Sequence, residues 1–199
     1  MASESTQIYH ERQRLQFCLL HSLNNLFQIS EFSFSMVITE LCCEQQKDAF
    51  TRASLNEIAE KLVVDETSKE TWRPLSVVFK PHHNPITGNY DINVLIAALG
   101  GKRKSVLWHD RRNGASSIDL DGPEDALMGI VLNVSVRRYA GIWRSRHWVA
   151  LRRIEGVWYN LDSDLVVPQA FKDTEEVRKY LDYTIEHGGE VLLVMNDKE

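Results

Sequence analysis

The chain has 199 residues, 43% hydrophobic and 26% charged, with a formal net charge of −5, which suits one domain with a real core. The negative charge argues against a general nucleic-acid binder, whose surface would be basic. No apolar stretch approaches the roughly 20 residues that span a bilayer, and the polar start, Met1 to Gln7, lacks the apolar segment of a secretory signal.

The three cysteines include an adjacent pair, Cys42 and Cys43, and make no disulfide framework. A reducing compartment follows, the cytosol or the nucleus, in which a thiol can do chemistry. Repeats, low-complexity tracts and Pro/Gly linkers are absent. The expected organisation is therefore a disordered 1–7 and one domain over 8–196.

Leu19, Leu20, Leu23, Leu26 and Phe27 recur at helical spacing, so an amphipathic helix is expected after Phe17. An apolar and serine-rich run, Phe32 to Ile38, then leads into Cys42 and Cys43. Ser54 with Glu57 forms a capping-box pattern and predicts a second helix buried through Leu55, Ile58, Ala59 and Leu62. Thr67 to Gly88 carries three of the five prolines and reads as loop. A third helix begins near Asp91, buries Val94, Leu95, Ala98 and Leu99, and stops at Gly100-Gly101.

Strand signals follow at Ser105–Trp108, Ile130–Val136, His147–Leu151 and Val157–Leu161. The last two should form an antiparallel hairpin across Arg152–Gly156, with Gly156 in the turn. A final helix, Thr174 to His187, uses Val177, Leu181 and Ile185 as its buried face, and Glu190–Met195 is apolar enough to be a central strand. Helices first and a mostly antiparallel sheet later define an α+β protein.

Cys18 stands where the first helix begins, and the positive end of a helix dipole favours a thiolate there. A small buried hydrophobe would equally fit the position. Gln13, in the extended entry to the helix, could aim its amide back towards the thiol; a side-chain donor beside a backbone N–H is how oxyanion holes are built. His147 opens a strand that places His147, Val149 and Leu151 on one face and Trp148 and Ala150 on the other. Asp162 lies just past the return strand, within reach of that imidazole, and Asn160 shares its parity and competes for the same role. Such a pair across a hairpin can also be purely structural.

Among the remaining histidines, His21 could reach the thiol from one turn along the helix, or hydrogen-bond along the helix instead. His82 and His83 lack the partners and spacing of a zinc site, and His10, His109 and His187 read as surface residues. Arg111-Arg112, Arg137-Arg138 and Arg144 to Arg146 read as solvated loop ends.

Together these residues resemble the Josephin family of deubiquitinating enzymes. The matching segments are Ile8-Tyr9-His10-Glu11-Arg12-Gln13, Cys18-Leu19-Leu20-His21-Ser22-Leu23-Asn24-Asn25, Gly88-Asn89-Tyr90-Asp91-Ile92-Asn93-Val94, Arg146-His147-Trp148-Val149 and Trp158-Tyr159-Asn160-Leu161-Asp162-Ser163. Several separated blocks in one order are more specific than any single motif.

The resemblance implies a papain-like fold and a thiol protease that cleaves after the C-terminal glycine of ubiquitin. It makes Cys18 the nucleophile, His147 the general base, Asp162 the orienting residue, and Gln13 with the Cys18 N–H the oxyanion hole. No metal or cofactor is expected, the partners are ubiquitin and ubiquitinated proteins, and a monomer is expected. Roughly fifteen to twenty positions around Ile29–Gln46 exceed the family pattern, an insertion expected to weaken or redirect ubiquitin binding without moving Cys18. Two other functions remain open at this point. One is a ubiquitin-binding module with little catalysis, and the other a papain-like acyl hydrolase or transferase acting on a small substrate.

Overall fold

The computed structural model describes residues 8–13, 17–28, 50–69, 83–84, 89–123, 125–138 and 143–197. The insertion around Ile29–Gln46, with Cys42 and Cys43, lies outside them, as do His82 and most of the proline-rich loop. Four helices are described: α1 (Cys18–Phe27), α2 (Arg52–Lys69), α3 (Ile92–Gly100) and α4 (Thr174–Glu186). A two-residue ribbon pairs β1 (His83–Asn84) with β2 (Asn89–Tyr90).

The main sheet contains β3 (Lys104–Trp108), β4 (Leu127–Arg138), β5 (Trp143–Ile154), β6 (Val157–Asn160), β7 (Gln169–Ala170) and β8 (Glu190–Asn196). Its order is β3-β8-β4-β5-β6-β7 and every neighbouring pair is antiparallel. β8 is thus central, as its apolar run predicts. The mixed helix and antiparallel sheet is the expected α+β architecture.

Alternation along the strands explains the layering, because successive side chains point to opposite faces. Val131, Trp148, Ala150, Leu192 and Val194 bury with α1, α2 and α3 on one side. Ile130, Leu132, Val149, Leu151, Val191 and Leu193 bury with Val177 and Leu181 of α4 on the other. The expected division of β5 into Val149/Leu151 and Trp148/Ala150 faces is therefore found. Two buried tryptophans also satisfy their indole N–H groups: Trp148 donates to the Tyr90 carbonyl and Trp158 to that of Leu120, both at 3.2 Å.

Local chemistry sets the element ends. Asp91 caps α3 by accepting from the Asn93 and Val94 N–H groups at 2.9 and 3.1 Å. α2 starts earlier than the Ser54–Glu57 pattern predicts. Thr51 Oγ1 accepts from the Ser54 N–H and Ser54 Oγ accepts from the Thr51 N–H, both at 3.0 Å, so the reciprocal box is Thr51–Ser54. Glu57 instead pairs with Lys61, one turn on, at 2.8 Å.

The β5–β6 connection is also tighter than expected. Arg152 and Arg153 still pair with Tyr159 and Trp158, leaving only Glu155 and Gly156 in the turn. Both have positive φ, 50° and 81°, as a type I′ hairpin requires. Arg137, Arg138 and Arg144 likewise belong to the paired ends of β4 and β5 and are not loop ends. At Gly129 a Cβ would lie 2.6 Å from Leu26 Cδ1 and 2.7 Å from the Leu151 carbonyl, so only glycine lets α1 approach β4 there.

Candidate active site

Cys18 is the first residue of α1, and Phe17 occupies the N-cap position. A phenylalanine has no oxygen with which to cap the first-turn N–H groups, so α1 forgoes the usual side-chain cap beside the thiol. Its interior face buries Leu19, Leu23 and Leu26 completely. That packing fixes the helix end and hence the thiol, which is 4% exposed.

His147 enters from β5, opposite Val134 of β4, and is 2% exposed. Its Nε2–H donates to Asp162 Oδ1 at 2.6 Å. Nδ1 is buried and makes no hydrogen bond, which leaves it as the ring nitrogen available to the Cys18 thiol. Burial pushes the imidazole pKa down and is the largest single influence. The hydrogen bond to Asp162, the nearby Cys18 thiol and the charges of both outweigh it, raising His147 to about 10.

Asp162 follows β6 and is held from several sides. The backbone N–H of Asp164 donates to its Oδ1 at 2.9 Å. Its own N–H donates to Asn160 Oδ1 at 3.0 Å. Of the two rivals, Asp162 meets the imidazole, while Asn160 anchors the Asp162 backbone. Tyr180 of α4 lies near this pair: burial, then the Asp162 charge, pushes its hydroxyl pKa up, and hydrogen bonding to Asn160 pulls it back.

Asp164 is a further neighbour that the sequence reading missed, with Oδ2 3.7 Å from His147 Nε2. Ligand atoms of His147, Asp162 and Asp164 lie within 4.8 Å of one another.

Gln13 lies on an extended segment, residues 8–13, that runs between α1 and the loop after β6. Its N–H donates to the Ser163 carbonyl at 2.8 Å, and its Oε1 accepts from the Ser163 hydroxyl at 3.3 Å. The structure thus ties Gln13 to the residue next to Asp162.

Three histidines depart from expectation. His10 is half-buried and donates from Nε2 to the Asp162 carbonyl at 2.9 Å. His109 is half-buried too, its Nε2 bonded to the Gly114 carbonyl at 2.8 Å. His21 bonds away from its own helix, with Nδ1 2.8 Å from Glu11 Oε2, and so serves the 8–13 segment. Spacing within one element cannot reveal such contacts, because each partner lies outside the histidine's own element.

A helix-borne cysteine facing a sheet-borne histidine, on this mixed helix and antiparallel sheet, is the arrangement of the papain-like cysteine protease fold. The Josephin family pattern matches residues 13–195, and the chain belongs to the Josephin family. It is 64% identical over 185 residues to a Josephin-like protein of Arabidopsis thaliana, covering 93% of this chain and 46% of that relative. It is 36% identical over 194 residues to human Josephin-2, covering 94% of this chain and 86% of that protein. An Ataxin-3 homolog of Arabidopsis thaliana is 25% identical over 170 residues, 84% of this chain and 51% of its own length. The chain thus spans less than half of the first of these relatives. No described helix is long and apolar enough to cross a membrane.

Proposed function

We propose that this chain is a thiol-dependent deubiquitinase acting through Cys18, His147 and Asp162, with Gln13 supplying an oxyanion donor. The observation that carries the reading is one buried imidazole bonded to a carboxylate, with a buried cysteine at the start of α1, in a member of the Josephin family.

In this mechanism the Cys18 sulfur attacks the carbonyl carbon of the C-terminal glycine of ubiquitin. The carbonyl oxygen becomes an oxyanion, stabilised by the Cys18 N–H and the Gln13 amide. Collapse breaks the C–N bond, and the His147 proton passes to the departing lysine amine. The neutral imidazole then takes a proton from water, which adds to the thioester, and Cys18 leaves with ubiquitin released as a carboxylate. Asp162 keeps the ring oriented and favours its protonated form.

The test is labelling by a ubiquitin probe with a C-terminal thiol-reactive group, alongside Cys18→Ala and His147→Ala. An adduct lost in Cys18→Ala and sharply reduced in His147→Ala is the expected result. Ubiquitin binding without an adduct would replace this reading with a binding module. Neither binding nor labelling would direct the search to a small acyl substrate.

A further inference from the structure

On that reading of the reaction, we infer that Asn25 is a positioning residue whose side chain holds the oxyanion segment and the Asp162 loop in register with the nucleophile helix. Asn25 lies on α1, two turns after Cys18, and is 0% exposed. Its Oδ1 accepts from the Glu11 N–H, and its Nδ2 donates to the Glu11 carbonyl at 3.2 Å and the Leu161 carbonyl at 2.9 Å. One amide thus bonds the backbone of the segment carrying Gln13 and the residue before Asp162.

The pattern repeats along the segment. Gln28 accepts from the Tyr9 N–H at 2.9 Å and donates to its carbonyl at 3.1 Å. Alternate residues 9 and 11 are therefore paired by helix side chains, as a neighbouring strand would pair them. Two further contacts turn to the loop, where the Gln13 N–H meets the Ser163 carbonyl and His10 meets the Asp162 carbonyl, while the Glu11 carboxylate turns back to His21 and Asn24 of α1. Segment 8–13 is a spine bonded on one side to the nucleophile's helix and on the other to the carboxylate's loop.

Asn25 serves stability as well, since an apolar residue in its place would leave the Glu11 and Leu161 backbone groups without these partners, so a control with a comparable structural load is needed. Asn24 supplies the matched comparison. It is equally buried and pairs the backbone of Phe50 in the same two-bond manner, at 2.8 and 3.1 Å; its Nδ2 also donates to the Glu11 carboxylate at 3.2 and 3.4 Å, but it does not reach the backbone of the 8–13 segment or the Asp162 loop. If Asn25 sets catalytic geometry, removing it should lower kcat where removing Asn24 only loosens the fold, because small displacements at a reacting centre are expensive.

The experiment compares Asn25→Ala and Asn24→Ala with wild type on a fluorogenic ubiquitin C-terminal amide. Thermal melting and the rate of Cys18 alkylation by iodoacetamide are measured alongside. Alkylation forms no oxyanion and should not need the register. We expect Asn25→Ala to lose about 10²-fold in kcat, with KM and alkylation within about threefold of wild type. Asn24→Ala should stay within about threefold in kcat at a similar melting loss.

A kcat loss no larger than that of Asn24→Ala, or a change in KM alone, overturns the inference. Should Asn25→Ala not fold, the half-buried His10→Ala decides, with about a tenfold fall in kcat expected and an unchanged kcat overturning it. A wild type inert towards the ubiquitin amide sinks the activity itself; an active wild type with an indifferent Asn25→Ala sinks only this inference.

Discussion

His147 Nε2 and Asp162 Oδ1 stand 2.6 Å apart, and the acceptor oxygen is also bonded by the Asp164 N–H at 2.9 Å. The carboxylate is thus fixed before the imidazole meets it, so the ring is held in one orientation. The proton on that ring is stabilised by groups that the unfolded chain lacks.

A pH dependence follows from this pair. The folded imidazole is raised from 6.5 to about 10, so the native state binds the proton more tightly than the unfolded state. The resulting stability is fully present below about pH 6.5 and is lost as pH rises through about 10. Asp162→Asn should cost about 2 kcal/mol at pH 6, and the gap to wild type should close towards pH 10.5. Denaturant melts at the two pH values check this; a gap that widens with pH would contradict it. The basic limb of kcat/KM should also move to lower pH in Asp162→Asn.

Gln13→Ala should lower kcat by about 10²–10³-fold, with KM little changed, because an oxyanion donor acts only once charge has developed on the carbonyl. Steady-state kinetics on a ubiquitin amide separate the two parameters. A rise in KM at constant kcat would make Gln13 a binding residue instead.

The β5–β6 turn offers a test independent of catalysis. Glu155 holds a φ of 50°, which asparagine tolerates better than glutamate. Glu155→Asn should stabilise by about 0.5 kcal/mol and Gly156→Ala should destabilise by about 1 kcal/mol. Chemical denaturation midpoints would show the opposite signs, and two shifts of the same sign would refute the turn assignment.

Leu23 lies on the interior face of α1 and is 0% exposed. Leu23→Ala should cost about 3 kcal/mol by leaving a cavity between helix and sheet. A loss under about 1 kcal/mol would mean that this face is less tightly packed than described.

The sequence was informative where one physical signal dominated. Alternation exposed the two faces of β5, helical spacing exposed the buried stripes of α1 and α3, and a polar pair across a hairpin pointed to His147 and Asp162. It was less informative where several groups could serve one purpose. Thr51 and Ser54 share a cap that Ser54 and Glu57 could equally have made, and the outcome depends on which hydroxyls meet. The roles of Asn25, His10 and Asp164 were not legible at all. Each contacts a backbone or side chain brought close only by the tertiary fold, and an amide on a helix gives no sign of which loop it will reach.

The position of β8 has a consequence for how the molecule comes into being. This strand is synthesised after all five of its sheet companions, yet it sits between β3 and β4 and supplies hydrogen bonds to both. While the ribosome is still adding α4, the sheet has a gap where Val191 to Val194 will lie, and both core layers lack residues from that strand. Such long-range closure is slow and comes late. Cys18 therefore leaves the ribosome long before His147 has a completed sheet to hold it, and a nascent chain carries the thiol before the imidazole is in place.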